Sequence, residues 1–322
     1  MNHLLSVKDL EVSFYKESKE IRAVKGVNFH IEEGEIYGIV GESGSGKSVA
    51  TKSILRLGPD NCKIKNGEIL FEGDNILEKN NRELRKIRGN EISIIFQDSL
   101  TSLNPVYTIG DKLVELIRRN QKISKSDAKK RAIELLDIVG IADSKSHLKS
   151  YPHELSGGMR QRVMIAMAIS SNPKIIIADE PTTALDVTIQ KQILYLLKDL
   201  QKKLHTSIIL ITHDLGVVAQ MCSRIAVMCA GYIVEEGTTE DIFYHPSHPY
   251  TKALIASVPK AGRTLERFIE KTITEEENEN LCPFFSRCSY AIEKCRLALP
   301  DNYLENDKHS VRCYVRGEKL GE

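Results

Sequence analysis

Gly41-Glu42-Ser43-Gly44-Ser45-Gly46-Lys47-Ser48 is a complete G-x-x-x-x-G-K-[ST] run, a spacing suited to holding phosphate. Its glycines let consecutive backbone N–H groups curl around an anion with no Cβ in the way. Lys47 can then reach the β- and γ-phosphates of a nucleotide, and the Ser48 hydroxyl can ligate magnesium. Chance alone gives the pattern in roughly one chain in a hundred of this length. The context lowers that further. An apolar run ending in Ile36-Tyr37-Gly38-Ile39-Val40 predicts a strand before the loop, and Val49 to Leu57 reads as a helix after it. The start of that helix adds its dipole to the same anion site.

Three other groups of residues have chemical potential. Ile175-Ile176-Ile177-Ala178 runs into Asp179-Glu180. An isolated Asp-Glu is an ordinary polar strand end at about two to one, but the phosphate loop reverses those odds. Beside such a loop Asp179 is expected to hold magnesium through its shell, and Glu180 to polarise an attacking water. Leu155-Ser156-Gly157-Gly158-Met159 precedes a helical stretch, Arg160 to Ile169. Ser156 suits an N-cap, and the two glycines permit close approach of a phosphate. Alone, a flexible turn is the better reading, since one phosphate loop needs no second anion site. Finally, Cys282, Cys288, Cys295 and Cys313 form C-x5-C-x6-C-x17-C. Structural zinc sites pair cysteines across about two to four residues, so the spacing is poor for zinc, and it differs from the common ferredoxin runs. Chemistry alone still favours a metal site over free thiols at roughly three to one.

These groups need a scaffold. The chain has 322 residues, 41% of them hydrophobic, and a formal net charge of +1. That suits one large globular domain with an appendage and gives no global field for nucleic acid. No stretch approaches a bilayer-spanning helix, and the first residues do not resemble a signal peptide, so a cytosolic chain is expected. Leu10, Val12 and Phe14 alternate as a strand does. Short apolar runs at Ile69 to Phe71, Ile92 to Phe96, Ile175 to Ala178, Ser207 to Thr212, Arg224 to Met228 and Tyr232 to Val234 read as strands of a mixed α/β sheet. Between Thr108 and Leu148 the spacing turns helical, with Ile117, Ala132, Leu135, Leu136 and Ile138 as its apolar positions. The polar run at 275–280 reads as a linker.

Leu155-Ser156-Gly157-Gly158-Met159, lying between the phosphate loop and the acidic pair, resembles the signature of ABC-type ATPases. The family's other motifs follow in order. Gln97 matches its Q-loop glutamine, Thr183-Ala184-Leu185-Asp186 its D-loop and His213 its switch histidine. Phe14 or Tyr15 matches the aromatic that stacks on adenine, and alternation does not choose between them. The resemblance covers roughly residues 4 to 260. It implies an α/β P-loop NTPase (RecA-like) mixed sheet with an antiparallel β subdomain, an inserted helical subdomain at about 100–168, and a small C-terminal cysteine-ligated extension. The ATPase domain would span 1–260 and the extension 261–322. It implies ATP and magnesium as ligands. Gly41, Ser43, Gly44, Ser45, Gly46, Lys47, Ser48, Val49 and Gln97 would contact the nucleotide, with Ser156, Gly157, Gly158 and Asp186 completing such a site. Ser48, Gln97 and Asp179 would serve magnesium, and Glu180, His213 and Gln97 catalysis.

In this family two ATPase subunits pack head to tail, and each ATP lies between one phosphate loop and the other subunit's signature helix. The second anion site would therefore serve a partner's ATP. Ile95 to Pro105, Tyr151-Pro152-His153-Glu154 and His245 to Thr251 resemble the oligopeptide and dipeptide importers in particular. Gly44 to Val49 and Ile87-Arg88-Gly89 resemble the first of their two ATPase paralogues, with Ser99 standing where proline is usual. The resemblance implies a paralogous ATPase partner (a homodimer in isolation), two membrane permease subunits, an indirect external binding protein, no nucleic acid, and a place at the cytoplasmic face of the membrane. Nickel or another small solute is the alternative cargo, and a non-transport ABC protein the more distant reading. Cys282-Pro283-Phe284-Phe285-Ser286-Arg287-Cys288 resembles the extension in which four cysteines carry a 4Fe–4S cluster. Such a tail is expected to fold apart from the phosphate loop, so that losing a cysteine leaves ATP binding largely intact.

Overall fold

The computed structural model describes residues 3–17, 19–98, 102–183, 185–257 and 281–316. The expected linker at 275–280, Ser99 and Ala184 lie outside them. The described strands are β1 (Leu5–Lys16), β2 (Lys19–Ile31), β3 (Ile36–Val40), β4 (Cys62–Phe71), β5 (Asp74–Asn75), β6 (Ile92–Ile95), β7 (Ile175–Asp179), β8 (Ser207–Thr212), β9 (Arg224–Cys229), β10 (Tyr232–Thr238), β11 (Tyr303–Asn306) and β12 (His309–Val311). The chain divides into two compact units. One holds Met1–Ile31, Tyr37–Leu77 and Thr212–Glu322, and the other Glu32–Ile36 and Glu78–Ile211.

In the first unit β1 is central to an antiparallel sheet of order β2-β1-β4-β5. Its alternating Leu10 and Val12 are fully buried. A second set of strands is mixed: β3 runs parallel to β9, β9 antiparallel to β10, and β10 antiparallel to β12. Gly38 in β3 allows the helix Leu215–Met221 to lie close, since a Cβ there would fall 2.4 Å from Val218 Cγ1. β3 delivers the chain straight into the phosphate loop, as ligand-binding turns at the ends of parallel strands do.

In the second unit β6, β7 and β8 are all parallel. Ile175 to Ala178 and Ile208 to Ile211 are 0% exposed. Burial on both faces explains why these strands read as continuous apolar runs without alternation. Each buried isoleucine stabilises the sheet by about 1.5–3 kcal/mol relative to exposure. The helical insertion comprises Ile109–Gln121, Lys125–Ile138 and Ser144–His147. Thr108 and Ser124 cap the first two, each hydroxyl accepting from a backbone N–H three residues on. Ile117, Ala132, Leu135 and Leu136 are buried as expected, but Ile138 is 45% exposed. It sits in the last helical position, off the stripe that buries Ala132, Leu135, Leu136 and then Val139. Among the described residues no helix is long and apolar enough to cross a membrane.

Candidate functional site: phosphate loop, carboxylate pair and cysteine cavity

The phosphate loop takes a conformation that only glycine permits at its key corners. Gly41 has φ 155, and a Cβ there would lie 2.1 Å from the Met228 carbonyl oxygen. Gly46 has φ 101, and a Cβ there would lie 2.5 Å from the Ala23 carbonyl oxygen. Gly46 is also the N-cap of the helix Lys47–Ile54, which has no side-chain cap and no acidic residue in its first turn. Its N-terminal N–H groups and dipole are therefore presented to the loop. Lys47 is buried, and its Nζ donates to the carbonyls of Gly41 (2.8 Å) and Glu42 (2.7 Å). An ammonium held inside the loop's own curve is placed where phosphate oxygens can replace those carbonyls.

Asp179 ends β7 and is 0% exposed. Glu180 follows in the left-handed region, φ 48, with its N–H donating to Ile211 O at 2.9 Å. A non-glycine residue there costs about 1–2 kcal/mol. Glu180 Oε2 accepts from Gln97 Nε2 (2.8 Å) and from Thr183 Oγ1 (2.8 Å). Two expected catalytic residues thus meet directly. Glu180 is left as a fixed carboxylate acceptor, the property a general base for water requires.

Ser156 caps the helix Gly157–Ile169, its Oγ accepting from Met159 N at 3.3 Å. Ser156 and Gly157 are exposed. Gly158 is fixed by packing, since a Cβ would lie 2.7 Å from Ile189 Cγ2. Asp186 caps the helix Val187–Leu204, accepting from Thr188 N and Ile189 N. A structural duty therefore stands beside the nucleotide role the motif suggests. His213 is exposed at the end of β8 in the first unit, whereas Gln97, Asp179, Glu180 and Ser156 belong to the second. On β1 the Tyr15 ring is faced by Lys63 and Lys65 ammonium groups, each 5.4 Å from its centroid, and its hydroxyl accepts from Lys65. Phe14, next in the strand and half-buried, points to the other face.

The four tail cysteines line one cavity, closed by Phe284, Phe285, Pro300 and Val315. Burial pushes the Cys282 thiol up to about 11 and the Cys313 thiol up to about 12. Among the described residues, no three of these sulfurs lie within 4.8 Å of one another. A single tetrahedral ion at a metal–sulfur distance of about 2.3 Å would draw its thiolates closer than that. The tail is anchored at β12, where His309 Nε2 meets buried Glu235 at 2.8 Å. Glu235 also accepts from Ser247 N and His248 N. Burial alone would lower the His309 pKa, but the hydrogen bond and charge of Glu235, with Asp241 and Glu305, hold it above its usual value. His248 is pushed down to about 4 by burial. It is therefore neutral, and its Nδ1 caps the helix Pro249–Ala256 by accepting from Tyr250 N.

The ABC transporter family pattern matches residues 24–183, and the pattern for the C-terminal region of oligopeptide/dipeptide transporters matches residues 234–295. The Oligopeptide transport ATP-binding protein OppD of Bacillus subtilis is 56% identical over 85% of this chain and 76% of its own. The Dipeptide transport ATP-binding protein DppD of the same organism is 47% identical over 99% and 96%. The chain belongs to the ATP-binding proteins of ABC transporters. Its fold agrees with an ATP-binding cassette solved as a dimer in a post-hydrolysis state bound to ADP and Pi, at a TM-score of 0.66 and 32% identity over 73% of this chain and 98% of that one. The fold of this ABC ATPase is that of a P-loop NTPase with a mixed sheet, an antiparallel β subdomain and a helical insert.

Two residues of this ABC ATPase reach the loop from far along the chain, with no role there assigned by the sequence. Arg287 donates two hydrogen bonds to the Glu42 carboxylate, at 2.8 and 2.9 Å. Tyr250 accepts from Glu42 N at 3.0 Å. Glu42 itself occupies a variable position of the loop pattern. The tail, expected to fold apart from the phosphate loop, touches it here. The segment carrying Cys288 packs onto the loop through the residue before it.

Proposed function

We propose that this ABC ATPase hydrolyses ATP to drive peptide import, as a peripheral subunit at the cytoplasmic face of the membrane. The observation that carries the reading is the pairing in one chain of an ATPase region, 24–183, with a C-terminal region of the oligopeptide/dipeptide type, 234–295. Relatives named for oligopeptide and dipeptide transport match nearly the whole length. In this reading residues 1–260 form the ATPase and 261–322 the extension. Gly41 to Val49 wrap the phosphates, and Ser48, Gln97 and Asp179 serve magnesium. Glu180 takes the proton of the attacking water, with Gln97 and His213 around the γ-phosphate. Phe14 stacks on adenine, a choice supported by the two lysines that already occupy Tyr15. Ser156, Gly157, Gly158 and Asp186 complete the ATP site of a paralogous partner, and two permease subunits receive the closure. Reconstitution with the membrane subunits encoded beside its gene is the test. ATP-dependent uptake of a di- or oligopeptide is expected. Uptake of nickel with no peptide uptake would move the cargo, and failure to associate with any membrane subunit would remove the transport role.

The tail, in the same reading, holds a 4Fe–4S cluster on Cys282, Cys288, Cys295 and Cys313. Support comes from the one cavity that the four cysteines share. Bound there, a cluster would crosslink a tail with little core of its own. Anaerobically purified protein is then expected to be brown, with broad absorption near about 400 nm and about four irons. Cys288→Ser should bleach it and open residues 281–316 to protease. Colourless anaerobic protein with stoichiometric zinc would overturn the cluster.

A further inference from the structure

Glu42 is held from three directions. Its carboxylate receives both terminal nitrogens of Arg287, Nη1 to Oε1 at 2.8 Å and Nη2 to Oε2 at 2.9 Å. Its N–H donates to the hydroxyl of Tyr250. Its carbonyl accepts from Lys47 Nζ at 2.7 Å. The first two holds come from outside the loop and are themselves fixed. The Arg287 guanidinium lies 5.2 Å from the Phe284 centroid and 5.8 Å from that of Tyr250, and the two rings are 5.3 Å apart. Tyr250 is 1% and Phe284 3% exposed. A planar fork matched to a carboxylate and resting on two buried rings fixes direction as well as distance. The Arg287 side chain is only 19% exposed, although Glu42 is 47% exposed. The pair is therefore less screened than an ordinary surface ion pair.

We propose that Arg287, seated on Tyr250 and Phe284, is a positioning residue for ATP binding: it fixes Glu42 and so sets the Gly41–Glu42 peptide segment that cradles the Lys47 ammonium. Those two carbonyls are the groups that phosphate oxygens must displace. If the segment relaxes, Lys47 follows its carbonyls away from the place where phosphate arrives. Arg287 touches no reacting atom. Its effect falls on nucleotide affinity, while the chemical step depends on the carboxylate end of β7. The inference rests on the reading of residues 41–48 as the nucleotide site. It does not depend on what the tail cysteines hold.

The test uses the full-length chain for ATP affinity and the assembled transporter for steady-state kinetics. Arg287→Ala is expected to raise the Kd and KM for ATP about threefold to tenfold, with kcat changed less than about twofold. Arg287→Lys keeps the charge but loses the fork, and should recover part of the affinity. Glu42→Gln should weaken ATP binding to a similar degree, and Arg287→Ala in that background should add nothing, because both remove one interaction. Protease protection of residues 281–316 shows whether the tail stays folded. Wild-type affinity in Arg287→Ala with a protected tail, or additive losses in the double variant, overturns the proposal. Should Arg287→Ala release the tail, Glu42→Gln decides, and wild-type affinity there overturns it equally. Wild-type protein that binds no ATP would sink the functional reading along with this one. Wild-type protein that binds ATP while every variant matches it sinks this one alone.

Discussion

Glu180→Gln is expected to leave ATP binding intact and to slow hydrolysis by about a hundredfold to ten-thousandfold. The substitution is close to isosteric. Glu180 Oε2 accepts from Gln97 Nε2 and Thr183 Oγ1, both at 2.8 Å, and an amide oxygen can accept from the same two donors. The left-handed turn at φ 48 and the N–H bond to Ile211 are backbone features that the change does not touch. What disappears is the negative charge that can take a proton from water. The phosphate loop, the Lys47 ammonium and the helix start at Gly46 remain, so the nucleotide still binds. The variant should then accumulate the ATP-bound dimer, because the γ-phosphate that favours closure is not removed. Single-turnover hydrolysis beside equilibrium ATP binding checks this. Hydrolysis at the wild-type rate would deny Glu180 its proposed role, and lost binding would make it a structural residue of the loop's surroundings.

The legible parts of this ABC ATPase are those whose chemistry sits in consecutive residues. The phosphate loop needs glycine at Gly41 and Gly46 as the pattern requires, although what a side chain would meet there is the Met228 and Ala23 carbonyls rather than the anion. β8 spans Ser207–Thr212, the same bounds its apolar run suggests. A run buried on both faces leaves no ambiguity of register with solvent. Legibility fails where long-range packing decides. Ile138 looks like a core position by spacing, yet it falls beside the stripe of Leu135, Leu136 and Val139 and is left exposed. Glu235 looks like the polar end of a strand. It is buried because two backbone N–H groups and His309 converge on it from segments that periodicity cannot bring together. The Glu42–Arg287 pair joins residues 245 apart in sequence. No local pattern foretells it, and Glu42 occupies a position where the loop motif accepts any residue. The choice between Phe14 and Tyr15 was likewise open in sequence, and the two lysines that face Tyr15 from β4 incline it toward Phe14.

Ser156→Arg is expected to cripple the ATP site of the paralogous partner by about a hundredfold or more, while the site on this chain's own phosphate loop keeps its affinity. Ser156 is exposed at the start of the helix Gly157–Ile169, whose first turn carries no acidic residue. An exposed helix start with no anion of its own is a ready anion site, and this chain already has a phosphate loop. In the head-to-tail reading the anion is the partner's γ-phosphate. A long arginine at the cap fills the space the phosphate must enter, and removes the hydroxyl that orders the first turn. Loss of the cap alone costs about 1 kcal/mol, too little to unfold the helix, because Val163, Ile165 and Ala166 anchor it with 0% exposure. Ser156→Ala separates the two effects: it loses the cap but leaves the space open, and should retain most activity. The measurement mixes Ser156→Arg with a wild-type paralogue and reads ATP occupancy and hydrolysis at each loop separately. Unchanged occupancy and hydrolysis at the paralogue's loop would remove the trans arrangement. Loss at this chain's own loop would mean that the signature helix acts within its own subunit.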